Sequence, residues 1–176
     1  MRFEPTEIPG VLRVEAEPHA DDRGLFARLQ CAEESAGAGA AFQPVQTSLS
    51  RNPTAGTLRG MHYQPGPHAE TKLVRVTRGR VFDVAVDLRP DSPTYRRWTG
   101  AELSADNLTA LMIPHGVAHG FLTLEPDTDV LYQIAPVYMP GHEAGVRWDD
   151  PAFAIDWPAT PQLISPRDAA YPDHRG

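Results

Sequence analysis

The chain has 176 residues, of which 22% are charged, and a formal net charge of −7. This length allows one domain with a substantial core and is too short for two of ordinary size, so we expect one domain spanning residues 1–176. The negative charge argues against general affinity for a nucleic-acid backbone or for an anionic membrane surface.

The N-terminal residues show no export signal. The segment MRFEPTEIPG lacks the long apolar stretch of a secretory signal, and no run of about 20 apolar residues occurs in the chain. The single cysteine, Cys31, cannot form an intramolecular disulfide, and no neighbouring motif suggests a thiolate metal site. We therefore expect a soluble protein of the reducing cytoplasm.

Turn-forming residues interrupt every long helical pattern, because 18 prolines and 14 glycines are scattered through the chain. Residues 29–40 predict a short helix or a loop. Beyond them, segments rich in Val, Leu and Phe recur at the spacing of an antiparallel sandwich or barrel. The tail from Trp157 predicts irregular chain. The predicted strands, in chain order, are 58–64, 72–77, 81–88, 96–104, 110–116, 119–125 and 129–138.

Side chains alternate along a strand, which decides which of them share a face. In 58–64 this alternation places His62 and Arg59 on opposite faces. In 81–88 it places Asp83 and Asp87 on the same face. Burying two unpaired carboxylates would be costly, so that face meets either solvent or the polar interior of a barrel.

Six residues could carry acid–base chemistry, five on predicted strands and one in the tail. Taken singly, each has an ordinary structural explanation, because a lone histidine on a strand is usually a satisfied core or surface residue. The six residues indicate a function only when they are taken together. The six residues are His62, Lys72, Asp83, His119, Tyr132 and Asp168.

Seven motifs contain five of these residues, and Tyr132 lies in VLYQI between the fifth and the sixth: GTLRGMHYQ, KLVRV, FDVAVDLRPDSPTY, LSADN, IPHGVAHGF, WDDPAFAIDWP and ISPRD. In this order they resemble the dTDP-4-dehydrorhamnose 3,5-epimerase family of the cupin superfamily. The resemblance covers nearly the whole chain, from DDRGLF at Asp21 to SPRD at Asp168. It implies a mostly β fold, a cupin-type antiparallel jelly-roll β-barrel with little helix, which forms a homodimer.

The resemblance also implies an activity. This is epimerisation at C3 and/or C5 of a nucleotide-linked 4-keto-6-deoxyhexose, with dTDP as the expected nucleotide, in deoxysugar biosynthesis of the L-rhamnose type. The resemblance implies that no metal or other cofactor takes part. His62 matches the general base, oriented by Asp168, while Lys72 matches the residue that stabilises the enolate and Tyr132 the general acid.

Eight further residues match substrate contacts of the family. Arg23 and Arg59 look like its pyrophosphate contacts, and the segment that carries Arg23 is expected to reach towards the partner's site. The full set is Arg23, Phe26, Gln46, Ser48, Arg59, Asp83, His119 and Tyr138.

The reaction explains why these residue types are needed. The adjacent carbonyl acidifies the protons on C3 and C5, so a neutral imidazole, whose unperturbed pKa is about 6.5, can remove one at neutral pH. A carboxylate on the other ring nitrogen fixes the tautomer and stabilises the imidazolium. A lysine supplies positive charge to the enolate oxygen, and a protonated tyrosine returns a proton from the opposite face.

The chain departs from the family's usual pattern at three places. Arg28 stands where a glutamate is common, and Ser48 stands where an asparagine is usual. A glutamine commonly precedes the lysine of KLVRV, and here Glu70 and Thr71 precede it. These positions lie in segments expected to contact the nucleotide. The sequence therefore leaves open which nucleobase and which sugar the substrate carries, and how many carbons are inverted.

Three rival functions are also compatible with parts of the sequence. PHGVAHG around His119 fits the second motif of a metal-dependent cupin dioxygenase or isomerase. Such a site would want the ligand pattern His-x-His on the first motif strands, and the chain offers His62-Tyr63-Gln64 instead. His68 and Glu70 lie on the proline-rich turn. The second rival is a 3,4-ketoisomerase of the same nucleotide sugars, and the third is a non-catalytic sugar-binding cupin.

Overall fold

The computed structural model describes residues 1–175 and consists mainly of short antiparallel strands. The helical segments are α1 (Ala32–Gly37), α2 (Pro166–Ala169) and one 3-10 turn (Gly66–His68). No helix within residues 1–175 is long and apolar enough to cross a membrane. The strands are β1 (Arg2–Pro5), β2 (Leu12–Glu15), β3 (His19–Asp21), β4 (Gly24–Phe26), β5 (Gln46–Asn52), β6 (Thr57–Tyr63), β7 (Thr71–Arg78), β8 (Arg80–Asp87), β9 (Trp98–Ser104), β10 (Thr109–Ile113), β11 (Val117–Thr123), β12 (Thr128–Ala135), β13 (Ala144–Gly145) and β14 (Leu163–Ile164).

Two sheets face each other. The first has the strand order β1-β2-β10-β7-β12-β5, and the second has the order β13-β6-β11-β8-β9, with β14 added beside β6. Buried side chains from both sheets, including Val74, Leu111 and Phe121, form the core between them. The mostly β jelly-roll barrel with little helix that the sequence predicts is confirmed.

Strand β8 shows how alternation builds the two layers. Val81 and Ala85 belong to the core between the sheets, whereas Val84 and Val86 pack on the outer side against Phe153 and its neighbours. The face that carries Asp83 and Asp87 is therefore the inner one, and both carboxylates are fully buried. Of the two environments considered for this face, the polar interior is correct.

The tail differs from its prediction in two short segments. Most of it is irregular chain, as predicted, but two residues form β14, which pairs in parallel with the first residues of β6, and four residues form α2. Ser165 caps this helix by accepting a hydrogen bond from the Asp168 amide at 3.1 Å, and Pro166 occupies the first turn. Proline and serine at these positions start a helix rather than break one. A strand of two residues is too short to give a periodic signal.

Candidate active site

A cavity of about 270 Å³ opens between the two sheets. Strands β5, β6, β7, β11 and β12 contribute lining residues, and so do the segments around residues 138–143 and 167. Six of the residues that the sequence singled out line this cavity: Arg59, His62, Lys72, His119, Tyr132 and Tyr138.

His62 on β6 is paired with a buried carboxylate from the tail. Its Nε2 lies 2.8 Å from Asp168 Oδ1, and the Gly60 amide donates to Asp168 Oδ2 at 3.2 Å. Burial alone would raise the pKa of Asp168, but the His62 hydrogen bond and charge and the Gly60 N–H outweigh it and lower that pKa. Asp168 is therefore an ionised acceptor that holds Nε2 of the imidazole and leaves Nδ1 free.

A β-bulge explains why Arg59 and His62 both line the cavity, although alternation predicted opposite faces. The register of β11 against β6 shifts between His119, opposite His62, and Phe121, opposite Arg59. Two residues of β6 thus face the single Gly120 of β11, which reverses the alternation. Gly60 has a φ of 129°, and a Cβ on it would lie 2.5 Å from the Gly120 Cα. The bulge therefore needs glycine here.

Lys72 lies on β7 with its ammonium group at the cavity wall. Of the 16 lysine and arginine residues in the chain, Lys72 is the only lysine. Its Nζ lies 3.0 Å from Glu70 Oε1 and donates to the His62 carbonyl oxygen at 3.4 Å. The chain thus places a compact point charge, rather than a guanidinium, beside the histidine.

A second histidine–aspartate pair lies beside the first in the same sheet, where His119 is the cross-strand partner of His62. His119 Nε2 on β11 is 2.8 Å from Asp83 Oδ1 on β8, and both side chains are buried. Burial raises the pKa of Asp83 even though His119 opposes the shift. The Tyr132 ring packs edge-on against His119 at 5.9 Å, and burial and the nearby Asp83 charge raise the pKa of Tyr132. Tyr132 therefore keeps its proton at neutral pH.

The mouth of the cavity is organised by polar contacts from β5. Arg59 donates to Asn52 Oδ1 at 2.8 Å, which holds its guanidinium in place. Gln46 accepts from the Tyr138 amide at 3.1 Å and donates to Ser48 Oγ at 3.3 Å. Gln46 and Ser48 lie on the same face of β5 as Ser50, which lines the cavity.

Five of the eight expected substrate contacts do not line this cavity, and two of these five belong to a separate hairpin. Arg23 and Phe26 belong to the hairpin of β3 and β4, where Phe26 is 76% exposed and Arg23 pairs only with Asp21 among residues 1–175. Arg28, one of the departures from the family's pattern, contacts Glu34 on α1. The cavity of a single chain therefore contains neither Arg23 nor Phe26.

Two charged residues at the cavity mouth were missed by the sequence reasoning. Arg167 and Glu143 lie together at the mouth, with 3.4 Å between Nη1 and Oε1. Arg167 had a usable signal, because it directly precedes Asp168. Glu143 had none, since it lies in an irregular loop that follows a proline and a glycine.

The residues that a metal-dependent cupin would use as ligands contact other side chains instead. Within residues 1–175, no three His, Cys, Asp or Glu side chains cluster as a metal site would require. Glu70 contacts Lys72, and the His68 ring stacks on His142 with 3.9 Å between ring centres. His119 is held by Asp83.

Comparison with known proteins agrees with the geometry. The family model described as dTDP-4-dehydrorhamnose 3,5-epimerase matches residues 5–175. The Sinorhizobium fredii dTDP-4-dehydrorhamnose 3,5-epimerase is 41% identical over 173 residues, covering 98% of this chain and 89% of that protein. A Bacillus anthracis dTDP-4-dehydrorhamnose 3,5-epimerase with TDP and PPi bound superposes with a TM-score of 0.95 at 40% identity, covering 98% of this chain and 99% of the other.

A second solved structure carries a sugar nucleotide. The Legionella pneumophila dTDP-6-deoxy-D-glucose-3,5-epimerase in complex with dTDP-4-keto-L-rhamnose has a TM-score of 0.91 at 39% identity, covering 97% of this chain and 90% of that one. Matches of this extent and identity go beyond a shared fold. The chain belongs to the dTDP-4-dehydrorhamnose 3,5-epimerase family.

Proposed function

We propose that the protein inverts C3 and C5 of dTDP-4-keto-6-deoxyglucose through enolate intermediates, without a metal or other cofactor. One observation carries the proposal: a histidine held by an ionised carboxylate shares a cavity with a lysine and a protonated tyrosine. These groups are a base, an electrostatic stabiliser and an acid, which is the set that epimerisation beside a ketone requires.

His62 is the base in this proposal. Because Asp168 accepts a hydrogen bond from Nε2, the imidazole proton stays on that nitrogen and Nδ1 keeps its lone pair. Nδ1 removes the proton from the carbon beside the ketone. The imidazolium that forms is stabilised by the Asp168 charge.

Lys72 and Tyr132 complete the inversion. As the proton leaves, negative charge develops on the C4 oxygen, and the Lys72 ammonium at the cavity wall stabilises it. Tyr132 then donates its hydroxyl proton to the face opposite His62. The phenol is protonated at neutral pH, so its proton is available to the enolate carbon.

Arg59, Gln46, Ser48 and Tyr138 bind the nucleotide at the cavity mouth, with Arg59 on the pyrophosphate. Arg23 and Phe26 join them from the partner subunit of a homodimer. The exposed edge strand β5 supports this assembly, since it ends the first sheet and is preceded by exposed Val45. We place the enzyme in the cytoplasm, where the lone Cys31 stays reduced.

The proposal is tested by incubating the protein with dTDP-4-keto-6-deoxyglucose in deuterated water and following the sugar ring by NMR. We expect deuterium at C3 and at C5 and the signals of the doubly inverted sugar. Exchange at one carbon only would identify a single-site epimerase. No exchange would refute the activity, and loss on chelation with recovery on adding Zn, Fe or Mn would refute metal independence.

A further inference from the structure

Glu70 is a buried carboxylate to which the mechanism above gives no role. It directly precedes β7 and lies two residues before Lys72, so both side chains point to the same side. Oε1 is 3.0 Å from the Lys72 Nζ, and the Glu70 and Lys72 side chains are 3% and 10% exposed. Oε2 is buried and has no hydrogen-bond partner among residues 1–175.

Stability alone does not account for this carboxylate. Burial of an ion pair is repaid only where further hydrogen bonds satisfy the remaining lone pairs. Asp87 meets that condition, because Arg89, Ser92 and Thr94 all donate to it. Within residues 1–175, the Glu70 carboxylate has only its contact with Lys72. Its distinctive property is therefore the negative charge that it places beside the chain's only lysine.

We propose that Glu70 and the enolate compete for the Lys72 ammonium, so that Glu70 limits the rate of proton abstraction. The inference rests on the proposed function, in which Lys72 stabilises the enolate. In the resting site the ammonium already contacts one negative charge. The developing enolate brings a second negative charge to the ammonium, and the Glu70 carboxylate repels that charge. A glutamine at position 70 would accept the same hydrogen bond without that repulsion.

Glu70→Gln isolates this effect because the amide has the same size and keeps an oxygen for Lys72. We expect kcat to rise about tenfold, since a unit charge a few ångströms from the developing enolate is removed. KM for the nucleotide sugar should change less than about twofold, because Glu70 makes no side-chain hydrogen bond to the residues assigned to the nucleotide within residues 1–175. Glu70→Asp keeps the charge and should not raise kcat.

A double-mutant cycle shows whether Glu70 acts through the lysine. In a Lys72→Met background, the gain from Glu70→Gln should be clearly smaller than in the wild-type background, because no ammonium is left to share and only the direct repulsion between Glu70 and the enolate is removed. Glu33→Gln, an exposed glutamate on α1, is the matched control and should behave as wild type. An unchanged or lower kcat in Glu70→Gln would overturn the inference, and so would an equal gain in the Lys72→Met background.

The single lysine offers an independent readout. Protein labelled with carbon-13 at the lysine Cε gives one side-chain signal, which must come from Lys72. That signal should shift in Glu70→Gln and stay in place in Glu33→Gln, and a signal that fails to move would show that Glu70 does not hold the ammonium. A wild-type protein without epimerase activity would refute the proposed function, whereas the lysine signal would still report the contact.

Discussion

Replacing Asp168 with asparagine should reverse the hydrogen bond that prepares His62 for proton abstraction. Asp168 accepts from the Gly60 amide through one oxygen and holds His62 Nε2 through the other, at 2.8 Å. An asparagine has only one oxygen, and the Gly60 N–H can only donate, so the oxygen stays at Gly60. The NH2 group then donates to Nε2, which moves the imidazole proton to Nδ1. The nitrogen that should take the substrate proton is already protonated.

Two effects contribute to the expected fall in kcat. A hydrogen bond from imidazolium to a carboxylate contributes about 1.5–3 kcal/mol, and regaining the productive tautomer against the new amide contact costs about 1 kcal/mol more. At about 1.4 kcal/mol per tenfold, kcat should fall by about 100- to 1,000-fold. The affinity for dTDP should be unchanged, because Asp168 is buried and its carboxylate is bound to His62 and Gly60.

Deuterium exchange at C3 and C5, followed by NMR in deuterated water, measures this loss directly. Asp91→Asn makes the same chemical change at an exposed position and should keep the wild-type rate. If Asp168→Asn exchanged both carbons within about threefold of wild type, the carboxylate would not set the tautomer of His62, and the assignment of Nδ1 as the base would be wrong.

Three further changes test other parts of the molecule. Tyr132→Phe should keep exchange at the carbon but sharply reduce inversion, since His62 can return a deuteron only to its own face; near-normal inversion in the NMR assay would refute the acid. Gly145→Ala should lower kcat about 10- to 100-fold, because a Cβ there would overlap the Tyr171 ring, which packs against His62; with Tyr171→Ala present, the added methyl should have no further effect. Asp87→Asn should lower the free energy of unfolding by about 2 kcal/mol at pH 7, because hydrogen bonds hold the pKa of Asp87 at about 2 despite its burial. In urea titrations this difference should be complete above a pH of about 4 and shrink as the pH falls through about 2, since the contribution of a lowered carboxyl pKa is lost there; a constant gap would contradict it.

Much of the fold could be predicted because it depends on short-range patterns, whereas the catalytic set was predicted from motifs that resemble those of the family. Lys72 and Tyr132 lie in segments that the sequence predicts as strands, and both line the cavity. Asp83 required a choice between solvent and a polar interior, since alternation is the same in both. The hydrogen bond between His119 and the Asp83 carboxylate shows that the polar interior is the correct environment.

Other features depend on contacts that no local pattern contains. Arg59 was predicted on the wrong face because the bulge arises from the approach of Gly60 to Gly120, two glycines that meet only when β6 and β11 pair. Arg167 and Glu143 meet only when the tail docks beside a distant loop. The positions of Arg23 and Phe26 relative to a substrate depend on a second copy of the chain, so their role stays a prediction.

The parallel pairing of β14 with β6 has a consequence for the order of folding. His62 and Asp168 are 106 residues apart in the chain, so their contact closes one of the longest loops in the molecule. The sheets also contain pairings between neighbours in sequence, such as β8 with β9, that do not wait for this segment. Refolding should therefore restore the β-sheet signal in circular dichroism before it restores a competent base. A chain with both sheets formed and β14 still undocked would bind nucleotide without turning it over.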